Sequence, residues 1–367
     1  MPNIEEQIKE VEEEIKRTEY NKKTQHHIGR LKAKLARLRE LAEARKSAGG
    51  ASGKSYAVKK SGHATVALVG FPSVGKSTLL NKLTGTKSAV ASYHFTTLTC
   101  IPGLLEYKGA KIQILDLPGL IKGAAQGRGR GREVLSVVRN ADLILFVIDS
   151  FEPHIEVLVE ELAFAGVRLN QRPADIAISK TMRGGLNITS TVKLTKIETN
   201  TIENILREYD IVNADVVIRE DITEDQLIDH LAGNRTYIPG FVALNKIDIA
   251  TEDSIKNAMD KLNGWKVVKI SSELGLGCEE LKEEIFKSLK FIRVYLKPQG
   301  KEADMKEPLV IKGGSTVGTV CDILHRDFRK NFRYAMIWGK SAKFPGQMVG
   351  LEHILMDEDI LTIVIRR

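Results

Sequence analysis

The octapeptide "GFPSVGKS", Gly70 to Ser77, restricts this chain more than any other stretch of it. It has the spacing G-x-x-x-x-G-K-[ST], follows the apolar run "ATVALVG" and runs into the helix-like "STLLNKLTG". A strand, loop and helix in that order wrap backbone N–H groups around phosphates and turn the positive end of the helix toward them. Gly70, Phe71, Pro72, Ser73, Val74 and Gly75 are therefore read as a phosphate loop, with Thr78 counted in the same nucleotide site. Lys76 is expected to reach the β- and γ-phosphates, and the Ser77 hydroxyl to ligate Mg2+. The runs "KIQILDLPG", "ADLILFVID", "GFVALNKID" and "WKVVKISS" are short and rich in Val, Ile and Leu, as buried parallel strands are. With helical segments between them, they predict a doubly wound α/β domain.

Further motifs stand at the ends of those runs. In "DLPG", Asp116 is expected to hold Mg2+ through water, and the Gly119 N–H to sense the γ-phosphate, with Leu117 and Pro118 between them. In "NKID", a carboxylate at Asp248 accepts two hydrogen bonds from the N1–H and N2–H2 edge of guanine, whereas adenine offers no such donor pair. Asn245 braces that loop, the Lys246 stem lies on the base, and Ile247 completes the motif. "ISSE" follows the next strand, so Ser271, Ser272 and Glu273 join the site, with the Ser272 N–H facing guanine O6. Between phosphate loop and "DLPG" lies "YHFTTLTCIPG", where a switch threonine must reach Mg2+ and the γ-phosphate. Beside Phe95, both Thr96 and Thr97 qualify by chemistry.

The rest of the chain divides around this domain. Ile4, Ile8, Val11 and Ile15, then Ile28, Leu31, Leu35, Leu38 and Leu41, recur at helical spacing across a break at "NKKTQ", which predicts a helical hairpin over 1–46. Arg30, Lys32, Lys34, Arg37 and Arg39 on its second helix read as a nucleic-acid face or as an ordinary solvated face. A linker over 47–62, rich in Gly and Ser, leads to the first part of the nucleotide domain, 63–164. Its second part, 239–290, comes only after an excess of chain with its own strand and helix signals, read as an inserted α+β subdomain over 165–238. The tail, 291–367, has strand runs and one helix, "TVGTVCDILHRDF", and predicts a β-grasp module.

Composition narrows the setting. A net charge of +8 favours an anionic partner such as nucleic acid or a ribonucleoprotein. The three cysteines are far apart, without the spacing of a disulfide framework or a zinc site, so a reducing cytoplasm is expected. No apolar run is long enough to span a bilayer, and the N-terminal stretch is charged where a signal peptide is apolar. His26 and His27 are expected as surface residues, and Trp265 and Trp338 as packing residues.

The phosphate loop, "FTTLT", "DLPG", a Gly/Arg-rich "GAAQGRGRGRE", "NKID" and "SSE" occur in the order of Obg-like GTPases. With "HHIGRLKAKLARLR", "GVRLN" and the tail, the whole chain resembles the developmentally regulated GTP-binding (DRG) family. That resemblance implies GTP and GDP as ligands, an insert like the second domain of ribosomal protein S5, a TGS domain at the C-terminus, and action on ribosomes or ribosomal RNA with a regulatory partner protein. It implies neither membrane contact nor DNA sequence readout. It also selects Thr97 as the switch threonine and metal ligand beside Ser77 and Asp116, which makes Lys76, Thr97 and Gly119 the catalytic set.

One position sets the expected rate. After Gly119, where Ras-like enzymes place the glutamine that orients water, stands Leu120, whose hydrocarbon side chain cannot hydrogen-bond a water. The family as a whole has a hydrophobic residue there, which implies slow intrinsic turnover. Relatives that use K+ in place of an arginine finger carry Asn where this chain has Ser73, whose hydroxyl can ligate K+ but reaches less far; K+ is a candidate ion by the resemblance, and the departure at Ser73 counts against it. Gly127 to Arg132 is read as a switch, an RNA contact or a docking strip. A nucleotide-gated adaptor with negligible turnover, or an RNA-binding assembly factor, is the alternative to an enzyme.

Overall fold

The structure, a computed structural model, describes residues 3–19, 21, 24–48, 62–84, 101–117 and 131–366. Two helices come first, α1 over Ile4–Arg17 and α2 over Gln25–Ala48. They close on Val11, Leu31 and Leu38, with Ile8, Ile15 and Leu35 packed alongside, so the spaced apolar residues do form a hairpin.

The α/β domain starts with β1 (Ala64–Val69), α3 (Lys76–Thr84), β2 (Ile101–Tyr107), β3 (Ala110–Asp116), α4 (Gly131–Arg139), β4 (Leu143–Asp149) and α5 (Ile155–Phe164). The chain then leaves through β5 (Val167–Leu169), β6 (Ile176–Lys180), β7 (Leu186–Ser190), α6 (Thr199–Glu208), β8 (Ala214–Ile218), α7 (Glu224–Ala232) and β9 (Thr236–Ile238). It returns as β10 (Gly240–Asn245), α8 (Glu252–Lys261), β11 (Val267–Lys269) and α9 (Cys278–Ser288). The six-stranded sheet has the order β11-β10-β4-β1-β3-β2. Every pairing in it is parallel except that of β2 with β3. β2 is the one strand of this sheet that its sequence hides, because "IPG" reads as a breaker; at the sheet edge, Pro102 needs no ladder N–H. Since β3 and β4 flank β1 on opposite sides, the chain reverses direction across the sheet at β1, and the crevice at its carboxyl end is where such sheets take ligands.

In the excursion, β5 pairs with β9, and β6, β8 and β7 form a second sheet in that order. Ile202, Ile205, Leu206, Val216 and Leu227 are buried in its core, and so are Ala33 and Ala36 of α2. The α1–α2 hairpin and the segment Gly166–Tyr237 accordingly form one compact unit. α2 is thus covered on two sides, by leucines toward α1 and by small residues toward the insert, and is not the one-sided amphipathic helix its sequence suggests. Gly29 sits on the small-residue side, where an added Cβ would come within 2.8 Å of Thr201 Cγ2 on α6. Four of the basic residues of α2 pair with acids of this unit, while Lys34 is exposed. Arg37 donates to the Glu208 carbonyl and the Asp210 carboxylate, Lys32 to Asp225 at 3.0 Å, and Arg39 to Glu12 at 2.7 Å. Arg30 lies 3.6 Å from Glu208. These four pair with acids of their own unit at its partly solvated surface, which the sequence reading of the face did not foresee.

One buried acid in this unit predicts a pH effect. Glu224, at the start of α7, is buried, and its Oε1 has no hydrogen-bond partner. Burial pushes its pKa above the ordinary carboxylate value, against the lowering effects of Gln25 and Lys32. Its stabilising contribution is therefore that of the protonated form, present below the unfolded pKa and lost as pH rises through the raised folded value. Glu224→Gln, which mimics that form, is expected to stabilise the protein at pH 7 by about 1 kcal/mol and to flatten the pH dependence of its melting temperature. Thermal unfolding from pH 5 to 8 measures both.

The C-terminal region comprises β12 (Phe291–Leu296), β13 (Leu309–Lys312), α10 (Val317–Leu324), α11 (Arg326–Lys330), β14 (Phe332–Trp338), β15 (Gln347–Val349) and β16 (Asp359–Ile365). The strands form one mixed sheet, β13-β12-β16-β14-β15, with a core that includes Val317, Val320 and Cys321 of α10. The single predicted helix is divided at His325, whose extended backbone ends α10 and whose Nδ1 accepts from the Asp327 N–H at 3.2 Å to begin α11. Phe291 and Val310 pack into the same core as the nucleotide-domain residues Leu80, Ile112 and Phe286.

Candidate active site

The phosphate loop leaves β1 pressed against β4, since a Cβ at Gly70 would stand 2.3 Å from the Val147 carbonyl oxygen. It ends at Gly75, in the left-handed region at φ +96°, where a Cβ would stand 2.4 Å from Asn245 Nδ2. Both positions exclude a side chain because another element needs the space. Ser73 takes a positive φ of 63° without being glycine, and its side chain is on the exposed part of the loop with Pro72. Val74 is buried and Phe71 packs against the main core, which anchors the loop from beneath.

At the start of α3, Lys76 is buried and its Nζ donates to the carbonyls of Gly70 at 3.0 Å and Phe71 at 2.8 Å. Burial lowers its pKa from the ordinary lysine value, and the nearby Asp116 opposes that shift. Ser77 Oγ donates to the Asp116 carboxylate. These two oxygens come from the first turn of α3 and the last residue of β3. They are hard donors at one point beside the phosphate loop, which suits Mg2+. Thr78 is exposed on the same turn, and Leu117 directly follows Asp116 as a buried residue. Phe95, Thr96, Thr97, Pro118, Gly119 and Leu120 lie outside the described residues, as does most of the Gly/Arg stretch.

The second loop is organised by Asn245. Its Nδ2 donates to the Val74 carbonyl at 2.9 Å, and its Oδ1 accepts from both the N–H and the hydroxyl of Ser272, each at 2.9 Å. One buried amide thereby joins the phosphate loop, "NKID" and "SSE". The Ser272 N–H, expected to face guanine O6, is engaged by Asn245 instead. Ser271 is buried and holds the turn by accepting from the Leu274 N–H at 3.1 Å, while Glu273 is exposed. The Ile247 N–H reaches the Ile270 carbonyl at 3.4 Å, and Asp248 is exposed beyond it.

Sequence reasoning passed over two residues at the end of β4. Ser150 is buried and donates to the Asn245 carbonyl at 2.9 Å. Asp149 Oδ2 lies 3.3 Å from Lys246 Nζ. Asp149 stands opposite Asn245 in the β4/β10 register, so the signal for both was the end of a neighbouring strand and not a motif.

Comparison with known proteins fits this arrangement. A family model described as "50S ribosome-binding GTPase" matches residues 65–180, one described as "C-terminal region of MMR_HSR1 domain" matches 183–291, and a TGS domain model matches 292–365. The Arabidopsis thaliana protein named developmentally-regulated G-protein 3 is 47% identical, covering 99% of each chain. The Dictyostelium discoideum homolog of developmentally-regulated GTP-binding protein 1 is 48% identical over 97% of this chain and 98% of its own. This chain belongs to the DRG family. An archaeal protein of Methanocaldococcus jannaschii, named only as an uncharacterized GTP-binding protein, is 60% identical over 99% of this chain and 93% of its own. As a DRG protein the chain is a guanine-nucleotide-binding GTPase with a TGS domain, and the loops above are those of a P-loop GTPase domain. Among the described residues, no helix is long and apolar enough to cross a membrane.

Proposed function

We propose that this chain is a Mg2+-dependent, GTP-hydrolysing switch of low intrinsic rate that acts with ribosomes in the cytoplasm. The observation that carries the reading is the meeting of Ser77 with Asp116 beside a buried Lys76, next to a phosphate loop that Asn245 ties to the base-binding segment. Asp248 accepts from the guanine edge, and with the Ser272 amide engaged, the following amide of Glu273 takes over the contact to O6. Lys76 exchanges the Gly70 and Phe71 carbonyls for β- and γ-phosphate oxygens, which restores an anionic partner to a buried ammonium. Water attacks the γ-phosphorus in line; its O–P bond forms as the bond to the β–γ bridging oxygen breaks, releasing GDP and phosphate. The loop amides and Lys76 stabilise the charge that develops. Ser77, Asp116 and, by family resemblance, Thr97 would hold Mg2+, which when bound neutralises phosphate charge.

Leu120 leaves the water without a side chain to orient it, so assistance must come from outside. The description of the matching family model and the net charge of +8 favour the ribosome as its source, and K+ near Ser73 is the other candidate. The C-terminal domain, 291–367, is the part we assign to the partner. Single-turnover GTP hydrolysis tests the reading. In sodium buffer the protein alone should be slow, and ribosomes or potassium should accelerate it by roughly tenfold or more. Leu120→Gln should change the rate less than either. A Gln variant that alone reached the accelerated rate in sodium would refute this account, and ribosomes without effect on the rate would remove them from it.

A further inference from the structure

We propose that Asp149 is a positioning residue of the guanine site: its carboxylate tethers the Lys246 ammonium, so that the lysine stem stays stretched across the face of the bound base. This rests on the reading of "NKID" as the base-binding loop.

Lys246 leaves its loop from a left-handed backbone, φ +65°, and its side chain is 31% exposed, so most of it already lies against protein. Its Nζ is 3.3 Å from Asp149 Oδ2. Asp149 is a firm anchor for three reasons. Its side chain is only 17% exposed, which limits screening of the pair by solvent. Its other oxygen, Oδ1, accepts from the backbone N–H groups of Phe151 at 3.2 Å and Glu152 at 3.0 Å, so the carboxylate cannot rotate away without losing both. It also stands at the end of β4 directly opposite Asn245, and the adjoining Ser150 hydroxyl holds the Asn245 carbonyl. The tether therefore comes from a strand of the central sheet that is paired with the strand carrying the loop.

A lysine in water samples many rotamers, and ordering it against a ligand costs affinity. With its ammonium held in place, the four-carbon stem is an apolar strip ready to cover a purine face. Such a strip does not distinguish one purine from another, whereas Asp248 reads the base edge. Position and identity of the base are thereby assigned to different carboxylates, Asp149 and Asp248.

The test is the dissociation rate of mant-GDP from the full chain, chased with GDP, in the parent, Asp149→Asn, Lys246→Ala and the double variant. Asparagine keeps an oxygen for the Phe151 and Glu152 N–H groups but gives up the charge, so it separates the tether from simple capping of the turn. Asp149→Asn should speed release about tenfold. Lys246→Ala should speed it at least as much, and the double variant should match Lys246→Ala. The ratio of GDP to IDP affinity in Asp149→Asn should equal that of the parent, because the base edge is read elsewhere. Parent-like release from Asp149→Asn, additive effects in the double variant, or a changed GDP/IDP ratio with a lowered melting temperature would each overturn the proposal, the last by showing collapse of the loop. Fast release from Lys246→Ala with parent-like Asp149→Asn removes the tether alone. Parent-like release from Lys246→Ala removes the base-covering reading of Lys246 and the tether with it.

Discussion

Asp248→Asn should weaken GTP binding by a hundredfold or more, roughly 3 kcal/mol, and should improve xanthosine triphosphate relative to GTP. The carboxylate has two acceptor oxygens for the two donors of the guanine edge, and asparagine replaces one acceptor by a donor that faces them. Xanthine has a carbonyl where guanine has its amino group, so the same donor then meets an acceptor. Asp248 is exposed beyond Ile247, and the bonds to the phosphate loop and to Ser272 are made by Asn245, so the change removes recognition and leaves the site assembled. Calorimetric titration with both nucleotides decides the matter: equal GTP affinity in variant and parent would take Asp248 out of the site.

Removal of residues 1–48 should unfold the inserted unit while GTP binding persists. α2 contributes Ala33 and Ala36 to the core of that unit, approaches Thr201 closely at Gly29, and neutralises Asp210 and Asp225 through Arg37 and Lys32. A deletion of this size strips one side of a core built around Ile202, Leu206 and Val216, and a loss of even about 5 kcal/mol is comparable to the whole stability of a domain. The phosphate loop and "NKID" belong to the other compact unit, which keeps its own core. Hydrogen exchange should show protection lost over α6 and β8 and retained over β1 and β10. A milder variant, Ala33→Arg, puts a charge into the same contact and should lower the melting temperature in the same direction. Persistent protection of α6 and β8 in the truncated chain would mean that the hairpin only decorates the insert.

Much of this protein was legible before its fold was known. Phosphate-loop chemistry is local: the spacing of Gly70, Gly75, Lys76 and Ser77 along eight residues is itself the geometry that wraps phosphates, so the loop can be read from the chain. The buried parallel strands announce themselves by apolar runs, because β1, β4 and β10 are covered on both faces. The helical hairpin follows from apolar residues recurring at helical spacing, because α1 and α2 pack on each other along that face. β2 escaped notice because an edge strand tolerates the Pro102-Gly103 pair that would break an interior one. The predicted helix of the C-terminal domain was divided because the His325 side chain caps a new helix better than its backbone continues the old one.

The amino-acid order thus carried the pattern of segments: a glycine-rich loop before a helix, Asp116 at a strand end and Asp248 just beyond one, a hairpin and an insert. What only tertiary structure decided was which segments serve one another. The basic stripe on α2 has the composition of a solvated or nucleic-acid face, and only the fold brings Asp210, Asp225 and Glu208 against it. Asn245 lies 171 residues from Val74 and 27 from Ser272, yet one amide binds both. Asp149 lies 97 residues from Lys246. The physical reason is range. Loop geometry and hydrophobic period act over a few residues and are written along the chain, whereas a hydrogen bond or ion pair is set by distance in space, which the order and register of strands impose.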